Sequence, residues 1–449
     1  MGYDCGFWAN QDEVVMKRIV IGSERDLAGA LALAARAAAD PEAEKRLEER
    51  LEATRAIVDA VRERGDAAVA EFTSRFDKVE LSPDKFEVSA SEIDAAVAGL
   101  DKDLVGALER AHANIRRFHE RNLRQDWEET NADGTVLGQR VTAVASAGVY
   151  VPGGTAFYPS SVLMNIVPAR VAGVEEIVMV SPPSFNGSIH PLVLAAAKIA
   201  GATRVFRVGG AQSVAALAFG TEHFPAVLKI TGPGNIFVTL AKRLVSSICD
   251  IDKEAGPSEV VVVADGSADP KLSAIELLCQ AEHDEDASAF LVATSAAVAD
   301  AVEAEVEKLI GTLSRSAIIR KALDTNGVTY LVQDLKQAAS FVDALAPEHL
   351  ALHVEDPRGF FGMIRNAGAV MLGAGTPVAV GDYYAGPNHI LPTGRRARFE
   401  SALTAEDFRK VTNYICYSKE GIRKDAADIV RLAEAEGLTA HARAVEMRS

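Results

Sequence analysis

The spacing of apolar residues changes twice along the chain, and the changes divide it into stretches of different structure. From residue 24 to about 125 apolar positions recur every three or four residues, the period of amphipathic helices. Asp40-Pro41 offers an N-cap followed by proline at the first helical position. Leu47, Leu51, Val58 and Val61 then line one face of a helix that stops at Gly65. Ser89 and Glu92 have capping-box spacing ahead of IDAAVAGL, and DLVGALERAHANIRRFHERN reads as another helix.

Asp133-Gly134 marks a hairpin turn, after which short continuous apolar runs alternate with glycine turns and helical segments. SAGVYVPGG precedes SSVLMNIVPARVAG, EEIVMVSPP precedes PLVLAAAKIAG, TRVFRVGG precedes AQSVAALAFG, and AVLKITGPGN precedes IFVTLAKRLV; EVVVVAD closes the series. A second series holds a helix over 273–283, then AFLVATS, AAVADAVEAEVEKLIG, VTYLVQD, KQAASFVDALA, LALHVED and AGAVMLG. β-Branched runs between helices predict buried parallel strands, so two α/β units stand in tandem. A polar, glycine-bearing segment (381–398) leads to a tail, 404–448, read as helical. The expected organisation is an N-terminal helical segment (1–130), a first α/β unit (131–268), a second (269–395) and a tail (396–449).

Composition narrows the function. The 449 residues are 48% apolar and 24% charged, ordinary for a globular chain. A net charge of −16, from 47 basic and 63 acidic residues, argues against a nucleic-acid-binding surface. No apolar run approaches the ~18 residues of a membrane span. Cys5, Cys249, Cys279 and Cys416 form no CxxC pair or disulfide framework, so a reducing, cytoplasmic setting is expected. Residues 1–15 lack a basic and then apolar signal pattern, and MKRIVIGSERD from Met16 reads as the more natural start.

Several stretches carry candidate chemistry. The turns VPGGT, VGGAQ and TGPGN point backbone N–H groups at a phosphate, though any α/β fold needs such turns and none matches G-x-G-x-x-G. Tyr150, Gln212 and Asn235 sit at these strand ends, as ligand contacts or as turn and packing residues. In LLCQAEHDEDA, Gln280 and His283 are either half of an N/O metal site or a helix end beside solvated acids. In APEHLALH, His349 suits proton transfer and Glu348 suits activation of water, unless both only cap a proline turn. His349 and His353 are four apart, and HExxH is absent. Asp382 and His389 lie in a loop-like segment, and Glu436 and His441 flank a Gly437 bend. Cys279 beside Gln280 invites a nucleophile reading but sits in an apolar helical run.

Taken in order, GVYVPGGTAFYPSSVLMN, GGAQSVAALAFGT, KITGPGNIFV, AGPSEVVVVAD, QAEHDEDA, APEHL, GDYYAGPNHILPTG and AEGLTAHARAV closely resemble the histidinol dehydrogenase family, from about residue 16 to 448. The resemblance implies two incomplete Rossmann-like units and oxidation of L-histidinol to L-histidine through histidinal, with two NAD+ and one Zn2+. It implies metal ligation by Gln280, His283, Asp382 and His441, the last from the partner of a homodimer. It implies substrate contacts by Ser258, Gln280, His283, Glu348, His349, Asp382, His389, Glu436 and His441, and cofactor contacts by Tyr150, Gln212 and Asn235. His349 would act as base in both oxidations, and Glu348 would deprotonate the water added to the aldehyde. Lys253-Glu254 departs from the small or apolar pair common in the family, and residues 1–15 have no counterpart there. The competing readings are a related zinc-dependent dehydrogenase of another small polar primary alcohol and a non-catalytic binding paralogue.

Overall fold

The computed structural model describes residues 16–36, 41–153, 157–254 and 256–449; Cys5, Asp40 and the rest of 1–15 lie outside them. The chain opens with β1 (Lys17–Val20) and helices α1 (Glu24–Arg36), α2 (Pro41–Arg64), α3 (Asp66–Asp77), α4 (Ala90–Ala98) and α5 (Lys102–Glu120). Then come β2 (Trp127–Thr130), β3 (Val136–Ala143), β4 (Ser146–Tyr150), α6 (Pro159–Ala172), β5 (Glu176–Val180), α7 (Pro191–Ala200), β6 (Arg204–Phe206), α8 (Gly210–Phe219), β7 (Lys229–Thr231), α9 (Ile236–Val245) and β8 (Asp250–Ile251). The next series is β9 (Glu259–Ala264), α10 (Pro270–Ala281), β10 (Ser288–Ala293), α11 (Ala296–Ile310), α12 (Ser316–Asn326), β11 (Gly327–Leu331), α13 (Leu335–Leu345), β12 (His349–His353), α14 (Pro357–Phe361), β13 (Ala369–Leu372) and α15 (Val378–Tyr383). β14 (Arg409–Cys416), α16 (Lys419–Ala435) and α17 (Thr439–Glu446) form the tail.

Strands β6-β5-β4-β7-β8 make one parallel sheet and β1-β11-β10-β9-β12-β13 another. Counted within its own series, each unit has the strand order 3-2-1-4-5, the doubly wound order short of its sixth strand. Both faces of each sheet are covered, which is why the strands read as unbroken apolar runs. Helices α6 and α7 pack Leu163, Ile166 and Ala196 on one face of the first sheet, and α2, α8 and α9 pack Val61, Leu217 and Val238 on the other. In the second unit α10, α11 and α12 bury Leu277, Val302 and Leu323, and α13 buries Phe341 opposite.

Three features depart from the sequence pattern. The N-terminal stretch begins with a strand, β1, which extends the second sheet beside β11. The tail is not helical throughout: β14 pairs antiparallel with β3, completing a three-stranded sheet with β2. Its Val411, Thr412, Tyr414 and Ile415 are strand formers, which explains the difference. Asp382 lies on the short helix α15 and not in a loop. Among the described residues no helix is long and apolar enough to cross a membrane.

Candidate active site

A cavity of about 1240 Å³ lies where the carboxyl edge of the first sheet meets the amino edge of the second. Tyr150, Gln212 and Asn235 follow strands of the first sheet, whereas Ser258, Glu348 and His349 precede or begin strands of the second. In the second unit the chemistry therefore sits at the opposite edge from the one open α/β sheets favour.

Glu259 and Glu348 stand side by side at the starts of β9 and β12, and each carboxylate accepts the other's backbone N–H. Glu259 N lies 2.8 Å from Glu348 Oε2, and Glu348 N lies 3.3 Å from Glu259 Oε1. The Ser258 side chain near Glu348, and the backbone amides of Gly394 and Arg395 near Glu259, favour the charged carboxylates. Burial is the main reason that both carboxyls stand at about 7, well above the usual range; repulsion from Glu348 adds to it at Glu259.

The buried His349 ring lies between two acids, with Nδ1 3.7 Å from Glu348 Oε2 and Nε2 3.4 Å from Asp382 Oδ1. Neither ring nitrogen has a good hydrogen bond. Burial alone would lower its pKa, but the charges of Glu348 and Asp382 outweigh it and raise the value to about 9. A base at neutral pH needs less than that, and a cation taking up the Asp382 carboxylate would lower it. His353, at the far end of β12, bonds Ser273 Oγ through Nδ1 at 2.8 Å. Four strand residues span about 13 Å, so His349 and His353 do not form a pair.

Helix α10 ends at Ala281, before the acids of DEDA. Asp284 Oδ1 accepts Asp286 N at 3.0 Å and Asp284 O accepts Ala287 N at 3.2 Å, so these residues form the turn into β10. The helix thus avoids placing three carboxylates on its own negative end. Gln280 is 2% exposed and its Nε2 has no partner. His283 opens onto the same cavity, and desolvation by the surrounding protein holds its imidazole below the ordinary value, in its neutral, ligating form. Asp382 is the third candidate; although burial opposes it, the neighbouring His349 keeps its carboxyl below the usual range. Asp382 O accepts Nδ1–H of His389 at 2.8 Å, which leaves His389 Nε2 to accept from Ser161 Oγ at 3.3 Å.

An amide, which can ligate through its oxygen, an imidazole and a carboxylate around one cavity fit a zinc ion's N/O preference. They are one donor short of a tetrahedral shell. Among the described residues no group of three or more His, Cys, Asp or Glu side chains in this chain is arranged to hold a metal. His441 and Glu436 are exposed, on α17 and at the end of α16, and do not line the cavity.

On the first-unit side, Gln212 is 1% exposed with both ends of its amide unpartnered. Asn235 caps α9, its Oδ1 accepting Phe237 N and Val238 N. Gly232 (φ 115°) turns the chain so close to Tyr150 that a Cβ would lie 2.0 Å from its carbonyl oxygen, so only glycine fits. The buried Lys242–Asp252 ion pair clamps this turn: Lys242 Nζ donates to Gly232 O at 3.0 Å and Gly232 N donates to Asp252 Oδ2 at 2.7 Å. Cys279 is unpaired, and burial pushes its thiol up to about 11, so it is no thiolate nucleophile at neutral pH.

The family profile described as histidinol dehydrogenase matches residues 41–449. The chain belongs to the histidinol dehydrogenase family. It is 51% identical over 393 residues to the histidinol dehydrogenase of Pseudomonas putida, covering 87% of this chain and 89% of that one. It is 49% identical over 396 residues to that of Halalkalibacterium halodurans, covering 88% and 93%. The crystal structure of histidinol dehydrogenase from Elizabethkingia anophelis superposes with a TM-score of 0.85 at 34% identity, covering 88% of this chain and 91% of that one. In this family member the cavity gathers the site residues that the resemblance implied, except Glu436 and His441, and leaves out His353 and Cys279. The structure also brings to this region residues that the sequence pattern does not mark. Glu259 and Glu276 were readable only as acids inside apolar runs, a weak sign of a buried partner. Asp77 lines the cavity with an unpartnered, buried Oδ2, and burial lifts its carboxyl to about 6.

Proposed function

We propose that this chain oxidises L-histidinol to L-histidine through L-histidinal, with NAD+ and one zinc ion per subunit, as a homodimer. The observation that carries the reading is the buried Glu348–His349–Asp382 cluster facing a cavity shared by both α/β units. The first unit, 131–268, would hold the dinucleotide against Tyr150, Gln212 and Asn235, and the second, 269–395, would supply the catalytic groups. Gln280, His283 and Asp382 would hold the zinc, with His441 of a partner subunit. Zinc would anchor and polarise the substrate's nitrogens, and NAD+ would accept two hydrides in succession.

The chain's own groups do the proton work. His349 takes the carbinol proton in the first oxidation, within reach of a substrate that Ser258 and His389 help to orient. In the second, Glu348 takes a proton from the water that adds to the aldehyde, and His349 again acts as base on the hydrate. A carboxyl lifted to about 7 is suited to accept that proton near neutrality. The exposed Ile415, Leu432, Leu438 and Met447 of the tail support a covering partner that would bring Glu436 and His441 to the site. The unpaired Cys249, Cys279 and Cys416 suit a reducing, cytoplasmic setting.

The test is purified protein with L-histidinol and NAD+, with and without a chelator. Two NADH per histidinol, lost on chelation and restored by zinc, is the expected result. No NADH with zinc present would overturn the proposal.

A further inference from the structure

Glu276 stands one helical turn before Gln280 on α10, so the two share a face, and His283 follows in the turn just after the helix. It is 4% exposed and does not line the cavity. Its Oε2 accepts the backbone N–H of Val378 at 2.9 Å. Val378 is the first residue of α15, and Asp382 lies one turn further along that helix. Pro377 precedes it at the N-cap position and supplies no side-chain cap. Without Glu276 the buried amide of Val378 would have no acceptor, because first-turn amides find none within their own helix. One carboxylate thus ties the helix that carries Gln280 to the helix that carries Asp382, one turn away from each.

We infer that Glu276 is a positioning residue for the metal centre: by holding the Val378 N–H it fixes α15 against α10, and so sets Asp382 relative to Gln280 and His283. The inference rests on the zinc reading above. α15 has only six residues, so few bonds of its own restrain it; at its ends Val380 N donates to Pro377 O, and Tyr384 N and Ala385 N donate to Val380 O. The Asp382 carbonyl is held by His389, which steadies the far end of the helix but leaves its start to Glu276. Partners that orient ligands in this way are typically worth about 10–100-fold in metal affinity.

The test measures zinc affinity of the full-length protein, stripped of metal, by competition with a chromophoric chelator. Glu276→Met keeps the volume and removes the acceptor; the expected result is about 10–100-fold weaker binding. Glu276→Gln keeps an amide oxygen for the same N–H and should bind within about threefold of wild type, as a hydrogen-bond role requires. Val378→Pro removes the donor instead, at a helix position where proline is tolerated, and should reproduce the loss with Glu276 intact. It serves equally if Glu276→Met does not fold. Wild-type affinity in both Glu276→Met and Val378→Pro would overturn the inference. So would an equal loss in Glu276→Gln, because the effect would then belong to charge. Asp382→Asn separates this from the parent reading. If it too binds zinc normally, the metal site itself is misassigned; if it alone loses zinc, only the role of Glu276 fails.

Discussion

Replacing Glu348 by glutamine should split the two oxidations. The amide is the size of the carboxyl and keeps an oxygen for the Glu259 N–H, now bonded at 2.8 Å. A carboxyl raised from 4.5 to about 7 by burial disfavours folding by up to about 3 kcal/mol at pH 7, so the neutral amide should leave the fold at least as stable as it is now. Chemistry should respond much more. Glutamine cannot take a proton from water, and losing a general base costs about 10²–10⁴-fold in rate. The alcohol step, which relies on His349, should stay within about tenfold of wild type, since only a neighbouring charge is removed. The stoichiometry should then fall from two NADH per histidinol toward one, with aldehyde recoverable by a carbonyl-trapping reagent. Supplied L-histidinal should be oxidised at least about a hundredfold more slowly. Oxidation of L-histidinal by Glu348→Gln within threefold of the wild-type rate would refute the assignment of the water-activating base.

Three further outcomes are expected. His119 is buried with both ring nitrogens unpartnered, and burial lowers its pKa to about 4, against the ordinary 6.5. Because the unfolded chain takes up the proton first, stability is lost as pH falls from 6.5 toward 4. The loss approaches about 3 kcal/mol, and denaturant titrations should show it reduced in His119→Leu; identical pH dependence would reject the burial argument. Lys242→Met leaves the Asp252 carboxylate buried and unpaired, so unfolding should be easier by about 3–5 kcal/mol, partly recovered in Lys242→Met/Asp252→Asn. A loss below about 1 kcal/mol would show the pair to be solvated. Cys279→Ser should keep kcat within about twofold, since its thiol is protonated at neutral pH; a hundredfold loss would put the sulfur in the mechanism.

Periodicity along the chain was enough to show two strand–helix series, because strands buried on both faces must be apolar throughout and the helices between them must carry apolar stripes. The short glycine turns were legible for the same local reason: Gly232 needs a backbone conformation that other residues resist. Individual site residues were visible as chemical types, Gln280 and His283 beside one another and Glu348 next to His349. What they face was not visible. Glu259 meets Glu348 across 89 residues and Glu276 meets Val378 across 102. β14 finds β3 only after the two α/β units have intervened, and β1 finds β11 across the whole first unit and part of the second.

Sequence alone therefore determined the class of fold, the alternation of strands and helices in the two α/β units and the inventory of reactive groups, since these follow from local sterics and from which face of an element avoids water. Tertiary structure decided that the second sheet would offer its amino edge to the cavity, that His349 would lie between two acids while His353 turned into the core, and that Glu436 and His441 would be left outside. The reason is physical: a side chain's charge state and reach depend on burial and on neighbours from distant segments, and a one-dimensional pattern records that a face is buried without recording against what.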